Sequence, residues 1–87
     1  LIVKVYTLFD EKAAFYGSPF YCKTDNEALR MVSDAARSTE TLIGTHPEDY
    51  SLYNVGQFDD NAGKLIPENV PVFIVKVTEL VTRLPQP

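Results

Sequence analysis

Residue types that do covalent or metal chemistry are scarce in this chain, which holds one cysteine, Cys22, and one histidine, His46. A thiol and an imidazole act as nucleophile and base only when they stand within hydrogen-bond reach, and no spacing here brings this pair together. Cys22 follows Phe20-Tyr21 and reads as a core residue, while His46 precedes Pro47 and reads as part of a turn. A single histidine also rules out a multi-histidine metal site. Asp59-Asp60-Asn61-Ala62-Gly63 looks superficially like a calcium loop, but it lacks the alternating acidic ligands and the closing glutamate. It reads as a hairpin turn. Gly17, Gly44, Gly56 and Gly63 are isolated, so no glycine-rich phosphate loop exists. Acid pairs at Asp10-Glu11, Glu48-Asp49 and Asp59-Asp60 fall at loop ends, where solvation accounts for them. No catalytic residue, cofactor or metal is expected.

Binding chemistry is better represented. The chain has five Tyr and five Phe, and Phe15, Tyr16, Phe20 and Tyr21 lie between Lys12 and Lys23. Rings beside cations suit single-stranded nucleic acid, because bases stack on the rings and the cations meet phosphates. Arg30 and Arg37 are seven residues apart, which on a helix places them on one face about 10 Å apart along the axis. Lys12, Phe15, Tyr16, Phe20, Tyr21, Lys23, Arg30 and Arg37 are therefore the candidate nucleic-acid-binding residues. A structural alternative stands beside this one. Asp34 is four residues after Arg30 and three before Arg37, so both arginines fit surface ion pairs, and in so small a domain half or more of the rings belong to the core.

The elements that must position these residues fit within 87 residues, enough for one domain over residues 1–87 and too few for a separate cofactor domain. A hydrophobic content of 45% is that of a folded globule. One cysteine makes no internal disulfide, no apolar run reaches the roughly 18 residues of a membrane span, and no leader pattern opens the chain. A soluble protein of a reducing compartment is expected. Eight Lys+Arg against twelve Asp+Glu leave a net charge of −4, which argues against coating nucleic acid by bulk electrostatics. Any basic strip must be assembled by folding.

Ile2 to Phe9 alternates β-branched and aromatic positions and predicts a strand. Asp10 to Pro19 reads as loop, followed by a short extended piece at Phe20-Tyr21-Cys22. Thr24-Asp25-Asn26-Glu27 is a capping box, with the Thr24 hydroxyl accepting from the Glu27 amide and the Glu27 carboxylate reaching back to the Thr24 amide. It predicts the main helix, about residues 25–37, with Ala28, Val32, Ala35 and Ala36 on one side. Thr45 to Asp49 predicts a capped turn with Pro47 at its start, and Tyr50 to Phe58 a strand. Lys64-Leu65-Ile66 is expected to return as a short hairpin partner, Pro67 and Pro71 to bracket a further turn, and Val72 to Val77 to form a buried strand. Phe73, Val77, Leu80, Val81 and Leu84 also fit a helical stripe; the favoured reading is a strand to Val77 and then a short helix capped by Thr78. Pro85-Gln86-Pro87 is expected to fray. The sum is an α+β domain, a mostly antiparallel sheet of about five strands packed by one main helix and a short C-terminal helix.

Three stretches carry a family resemblance. Lys4-Val5-Tyr6-Thr7-Leu8-Phe9-Asp10, Lys23 to Arg30, and above all His46-Pro47-Glu48-Asp49-Tyr50 through Asp60 resemble the small nonstructural protein of gokushovirus-type microviruses. The likeness covers about residues 4 to 66; Leu1-Ile2-Val3 ahead of it and the apolar run Pro71 to Val77 depart from the family's pattern. Those phages have single-stranded DNA genomes, and the resemblance implies a replication accessory in the host bacterial cytoplasm that helps switch to single-strand synthesis and packaging. It supplies no catalytic residue. Expected partners are single-stranded DNA, the phage replication initiator or host replication proteins, with a second copy of the chain paired through exposed strand edges. The alternative is an acidic protein-interaction module that makes no DNA contact.

Overall fold

Val3, Val5 and Thr7 alternate with Lys4, Tyr6 and Leu8 along β1 (Ile2–Asp10), the strand the sequence predicts. The computed structural model describes residues 1–82, Thr82 through its backbone alone. On one side β1 pairs antiparallel with β4 (Tyr50–Asp59) along its whole length, from Ile2 opposite Asp59 to Asp10 opposite Tyr50. Val55 is an extra residue in that ladder, since Val5 faces Gly56 and Tyr6 faces Asn54. On its other side β1 carries two short strands, β2 (Phe15–Tyr16) and β3 (Phe20–Cys22). The Thr7 hydroxyl donates to the Gly17 carbonyl at 2.7 Å where the chain steps from one to the other. β2 lies inside the stretch expected as loop. Two residues between Gly17 and a turn are too short for any periodicity to show.

Asp59 closes the next hairpin by accepting from the amides of Asn61 and Ala62 at 3.0 and 3.3 Å. The returning strand β5 (Lys64–Lys76) corrects the sequence reading, because Lys64 to Ile66 and Val72 to Lys76 belong to one strand and no turn separates them. Pairing runs from Lys64 to Pro67, skips residues 68–71, and resumes at Val72 opposite Asn54. Pro67 and Pro71 are tolerated because β5 is an edge, where a missing amide removes no ladder bond. Val72 and Phe73, expected to be buried, are about half exposed for the same reason. At Gly56 the two strands come so close that a Cβ would stand 2.5 Å from the Ile66 carbonyl oxygen. The sheet order is β2-β1-β4-β5, with β3 beside β2 on β1.

Helix α1 (Asp25–Ala36) starts at the predicted cap, the Glu27 amide donating to the Thr24 hydroxyl at 3.1 Å. The Glu27 carboxylate accepts from the Lys23 amide at 2.8 Å and not from that of Thr24, one residue short of the expected box. Ala28, Val32 and Ala36 are buried and Ala35 half-buried. A second capped turn, α2 (Leu42–Thr45), went unpredicted; its Thr41 hydroxyl accepts from the Gly44 amide at 2.9 Å. Gly44 is needed there because a Cβ would overlap the Ser38 carbonyl. Pro47–Asp49 form a 3₁₀ turn within the stretch expected as one capped turn from Thr45, but His46 precedes it with no side-chain cap bond. Strand gives way to helix α3 (Val77–Thr82) one residue before the expected cap, so Thr78 lies in its first turn. Leu84 and the tail expected to fray lie outside the described residues.

All three helices cover one face of the sheet. Tyr6 and Leu52 from the strands meet Ala28, Val32 and Ala36 of α1, Ile43 of α2, and Val77 and Leu80 of α3. Tyr6, Leu52 and Val77 are fully buried, each contributing about 1.5–3 kcal/mol of transfer free energy. Inside this core the Tyr6 hydroxyl donates to the Asp25 carboxylate, tying the start of α1 to the central strand. This is an α+β domain with an antiparallel five-stranded sheet, a main helix and a short C-terminal helix.

Candidate functional site

Successive strand residues point to opposite faces, so the register that sends Tyr6, Leu8 and Leu52 under the helices sends Val3, Val5, Thr7 and Phe9 to the other side. Tyr16 lies opposite Phe9, Tyr21 opposite Val5, Tyr53 opposite Thr7 and Phe58 opposite Val3. Phe73 on β5 lies opposite Tyr53. None of the described helices covers this face, and its rings touch one another. Ring centroids are 4.8 Å apart for Phe9 and Tyr16, 5.6 Å for Tyr16 and Tyr53, 6.3 Å for Phe9 and Tyr53, and 5.7 Å for Tyr53 and Phe73. Three of these four contacts cross at 74–82°, the edge-to-face packing that leaves one ring's face free while fixing its neighbour. A second pair, Tyr21 and Phe58, meets at 6.2 Å. Between the two groups lies an apolar cleft of about 450 Å³, lined by Val5, Pro19, Tyr21, Gly56, Leu65 and Pro67 among others.

The rings are held by the ladder yet half open to solvent: Tyr16 is 45%, Tyr21 50% and Phe73 52% exposed. Among the described residues, cations near them are few. Lys76 lies opposite Ser51, on the same face as Phe73 by register, and its ammonium stands 3.1 Å from the Glu11 carboxylate. Lys12 is exposed in the turn between β1 and β2, where its amide donates to the Asp10 carboxylate at 3.0 Å.

The residues singled out from sequence are thus divided between two layers. Tyr16 and Tyr21 stand on the open face. Phe15 pairs opposite Asp10 and Phe20 opposite Tyr6, so both lie on the helix side. Phe20 stacks on Tyr6 at 5.8 Å and packs against the core. Arg30 and Arg37 are exposed on α1, the layer away from the open rings. Asp34 meets Arg37 at 3.4 Å. Lys23 is exposed just ahead of α1. What sequence reasoning missed was Phe9, Tyr53, Phe58 and Phe73. The signal was present for the first three, since strict alternation in β1 and β4 carries each ring to the face opposite Tyr6 and Leu52.

The chain's nucleophile is inaccessible. Cys22 is buried, its Sγ 3.3 Å from the Met31 sulfur, and burial followed by the Glu27 carboxylate pushes its thiol up. His46 is exposed between α2 and the 3₁₀ turn, with Nδ1 2.9 Å from the Thr45 hydroxyl. Among the described residues no three His, Cys, Asp or Glu side chains gather as a metal site, and no helix is long and apolar enough to cross a membrane.

Neither the curated proteins nor the solved structures contain a match to this chain. A protein-family model does match it, over residues 3–80, nearly the whole of the sheet and helix layer just described, and the chain therefore belongs to the Phage ORF5 protein family.

Proposed function

We propose that this phage protein is a non-enzymatic accessory of genome replication in a gokushovirus-type microvirus, acting in the host cytoplasm by binding single-stranded DNA on the open face of its sheet. The row Phe9, Tyr16, Tyr53 and Phe73 carries this reading: four rings linked by successive contacts, uncovered by any described helix and held by strand pairing. Base stacking on such rings contributes about 1–3 kcal/mol per base and tolerates any sequence. Duplex DNA hides its base faces and offers only phosphates, which an acidic chain of net charge −4 does not attract. Single-strand preference follows from that contrast. Lys76 and Lys12 serve as phosphate contacts at one end of the row; Arg30 and Arg37 do not.

Anisotropy of labelled oligothymidine and of a duplex of equal length, titrated with the full chain at low and physiological salt, tests the proposal. Preference for the single strand, reduced by Tyr16→Ala, is the expected result. Equal weak binding to both forms, or none at low salt, would sink it.

A further inference from the structure

On the helix side, one corner of the sheet is left uncovered beyond α1 and α3. There a groove of about 300 Å³ is lined by Leu8, Asp10, Phe15, Phe20, Leu42 and Tyr50. Its two outermost apolar side chains are conspicuous for their exposure, Phe15 at 61% and Leu42 at 69%. Neither is loose. Phe15 is set by pairing with Asp10 in the ladder, and Leu42 begins a turn whose cap, Thr41, donates its hydroxyl to the Ala35 carbonyl at 2.9 Å. Large apolar side chains held rigidly in water mark a contact surface more often than a folding need.

The rim of the groove is acidic. The Glu11 amide donates to the Asp49 carbonyl at 2.8 Å, drawing the turn after β1 onto the 3₁₀ turn. Asp10 lines the groove, and Asp49 lies close enough to help raise the Tyr50 phenol at its floor. Glu11 itself is engaged by Lys76 at 3.1 Å and does not count toward the rim. At the floor, burial and then the Asp10 carboxylate hold the Tyr50 phenol above its usual range, keeping a hydroxyl there at all ordinary pH.

We infer that this groove docks a short segment of another protein, apolar along its length and ending in Lys or Arg, with its apolar side chains between Phe15 and Leu42 and its cations on the acidic rim. Charge complementarity selects this occupant over nucleic acid, which the carboxylates repel. It also disfavours a second copy of the chain. The exposed segment of matching type, Lys64-Leu65-Ile66, is joined to Asp59 and Asp60, which would meet the rim with like charge. The open rings of the DNA reading lie on the opposite face, and that reading meets this groove only at the turn after β1, where Lys12 follows Asp10.

The test is a titration of the ¹⁵N-labelled full chain with a panel of synthetic peptides, Leu and Phe at alternate positions and Lys-Lys at the end, against the same panel ending in Glu-Glu. Saturable shifts at the amides of Leu8, Phe15, Leu42 and Tyr50 are expected with the lysine panel, at least about tenfold weaker with the glutamate panel. Leu42→Ser, at an exposed side chain, should weaken binding by about tenfold. Asp49→Asn should weaken it less and reduce its salt dependence. Equal response to both panels, shifts confined to Tyr16 and Tyr53, or no saturable shift with any peptide would overturn the inference. So would light scattering that shows a dimer dissolved by Leu42→Ser, since the groove would then serve a second copy.

Discussion

Phe73 is the most informative single position on the open face. It is 52% exposed, its ring meets Tyr53 at 5.7 Å, and it sits on the edge strand, where its removal disturbs no second ladder. Truncation to Ala would confuse two effects. A phenyl ring half-buried from roughly 200 Å² forfeits about 100 Å² of apolar contact, which is worth on the order of 2 kcal/mol in folding. Phe73→Leu keeps most of that contact and removes the flat face, so it isolates stacking. Loss of one stacking platform costs about 1–3 kcal/mol, or about 5- to 150-fold in Kd for single-stranded DNA. Anisotropy with labelled oligothymidine reads this directly, and urea melts of the same sample verify that the fold is retained. Arg30→Ala with Arg37→Ala should leave Kd unchanged, because α1 lies on the other layer. If Phe73→Leu binds as tightly as the parent while the arginine pair loses affinity, stacking on the open face is refuted and the helix becomes the site.

The remaining expectations concern salt, pH, packing and association. With Lys76 and Lys12 as the phosphate contacts, log K should fall with log salt at a slope of about −1.4, and a slope several times steeper would mean cations elsewhere carry the binding. Tyr6 and Cys22 both titrate above their ordinary values of 10.0 and 9.0, by burial first and then by Asp25 and Glu27 respectively. The unfolded chain therefore loses these protons first, so stability is intact below pH 9 and falls as pH rises through 9 and then 10. Tyr6→Phe should reduce the upper part of that fall in pH-dependent urea melts, Tyr50 keeping its own share because its phenol is raised too; an unchanged alkaline limb would exclude Tyr6 as a source. Gly56→Val should destabilise by more than about 2 kcal/mol, since its side chain has no room against Ile66, and a neutral result in thermal melts would show that the β4–β5 approach can open. Self-association at high concentration should run face to face and not edge to edge, and oligothymidine should dissociate it in light scattering. A monomer at high concentration ends that idea.

How far the sequence reveals this depends on the kind of signal. The alternation of Ile2 to Phe9, the Thr24 cap and the Pro47 turn were legible because each is a local rule with a local cause; β1 and α1 stand within a residue of their predicted bounds, and the turn expected from Thr45 begins at Pro47. Pro67 and Pro71 misled because proline ends a strand only where its amide is needed, and whether β5 is central or an edge is a property of the sheet. The binding cluster failed for a related reason. Phe15 and Tyr16 are adjacent, as are Phe20 and Tyr21, and adjacency in a strand means opposite faces. Reading Asp10 to Pro19 as loop hid that consequence, because a loop imposes no faces. Phe73 was hidden among β-branched neighbours that look like core; its exposure follows from its register opposite Tyr53, on the face turned away from the helices.

Both edges of the sheet argue against the edge pairing expected from sequence. On one side β2 and β3 are two and three residues long, separated where Gly17 steps across to Thr7. On the other, β5 loses its ladder over residues 68–71 and shifts register again between Val75 and Phe73. Short edge strands, prolines and bulges are the devices by which sheets refuse a neighbour. A chain guarded at both edges but bare across one face directs its contacts to that face. The half-exposed rings of Tyr16, Tyr21 and Phe73 alone offer about 300 Å² of aromatic surface, within the range of the largest patch on a typical monomer. That is well short of the roughly 800 Å² per partner of a stable protein interface, yet ample for a few stacked bases. Area thus favours a strand of DNA over a permanent second copy as the main occupant, and confines self-association to what high concentration can drive.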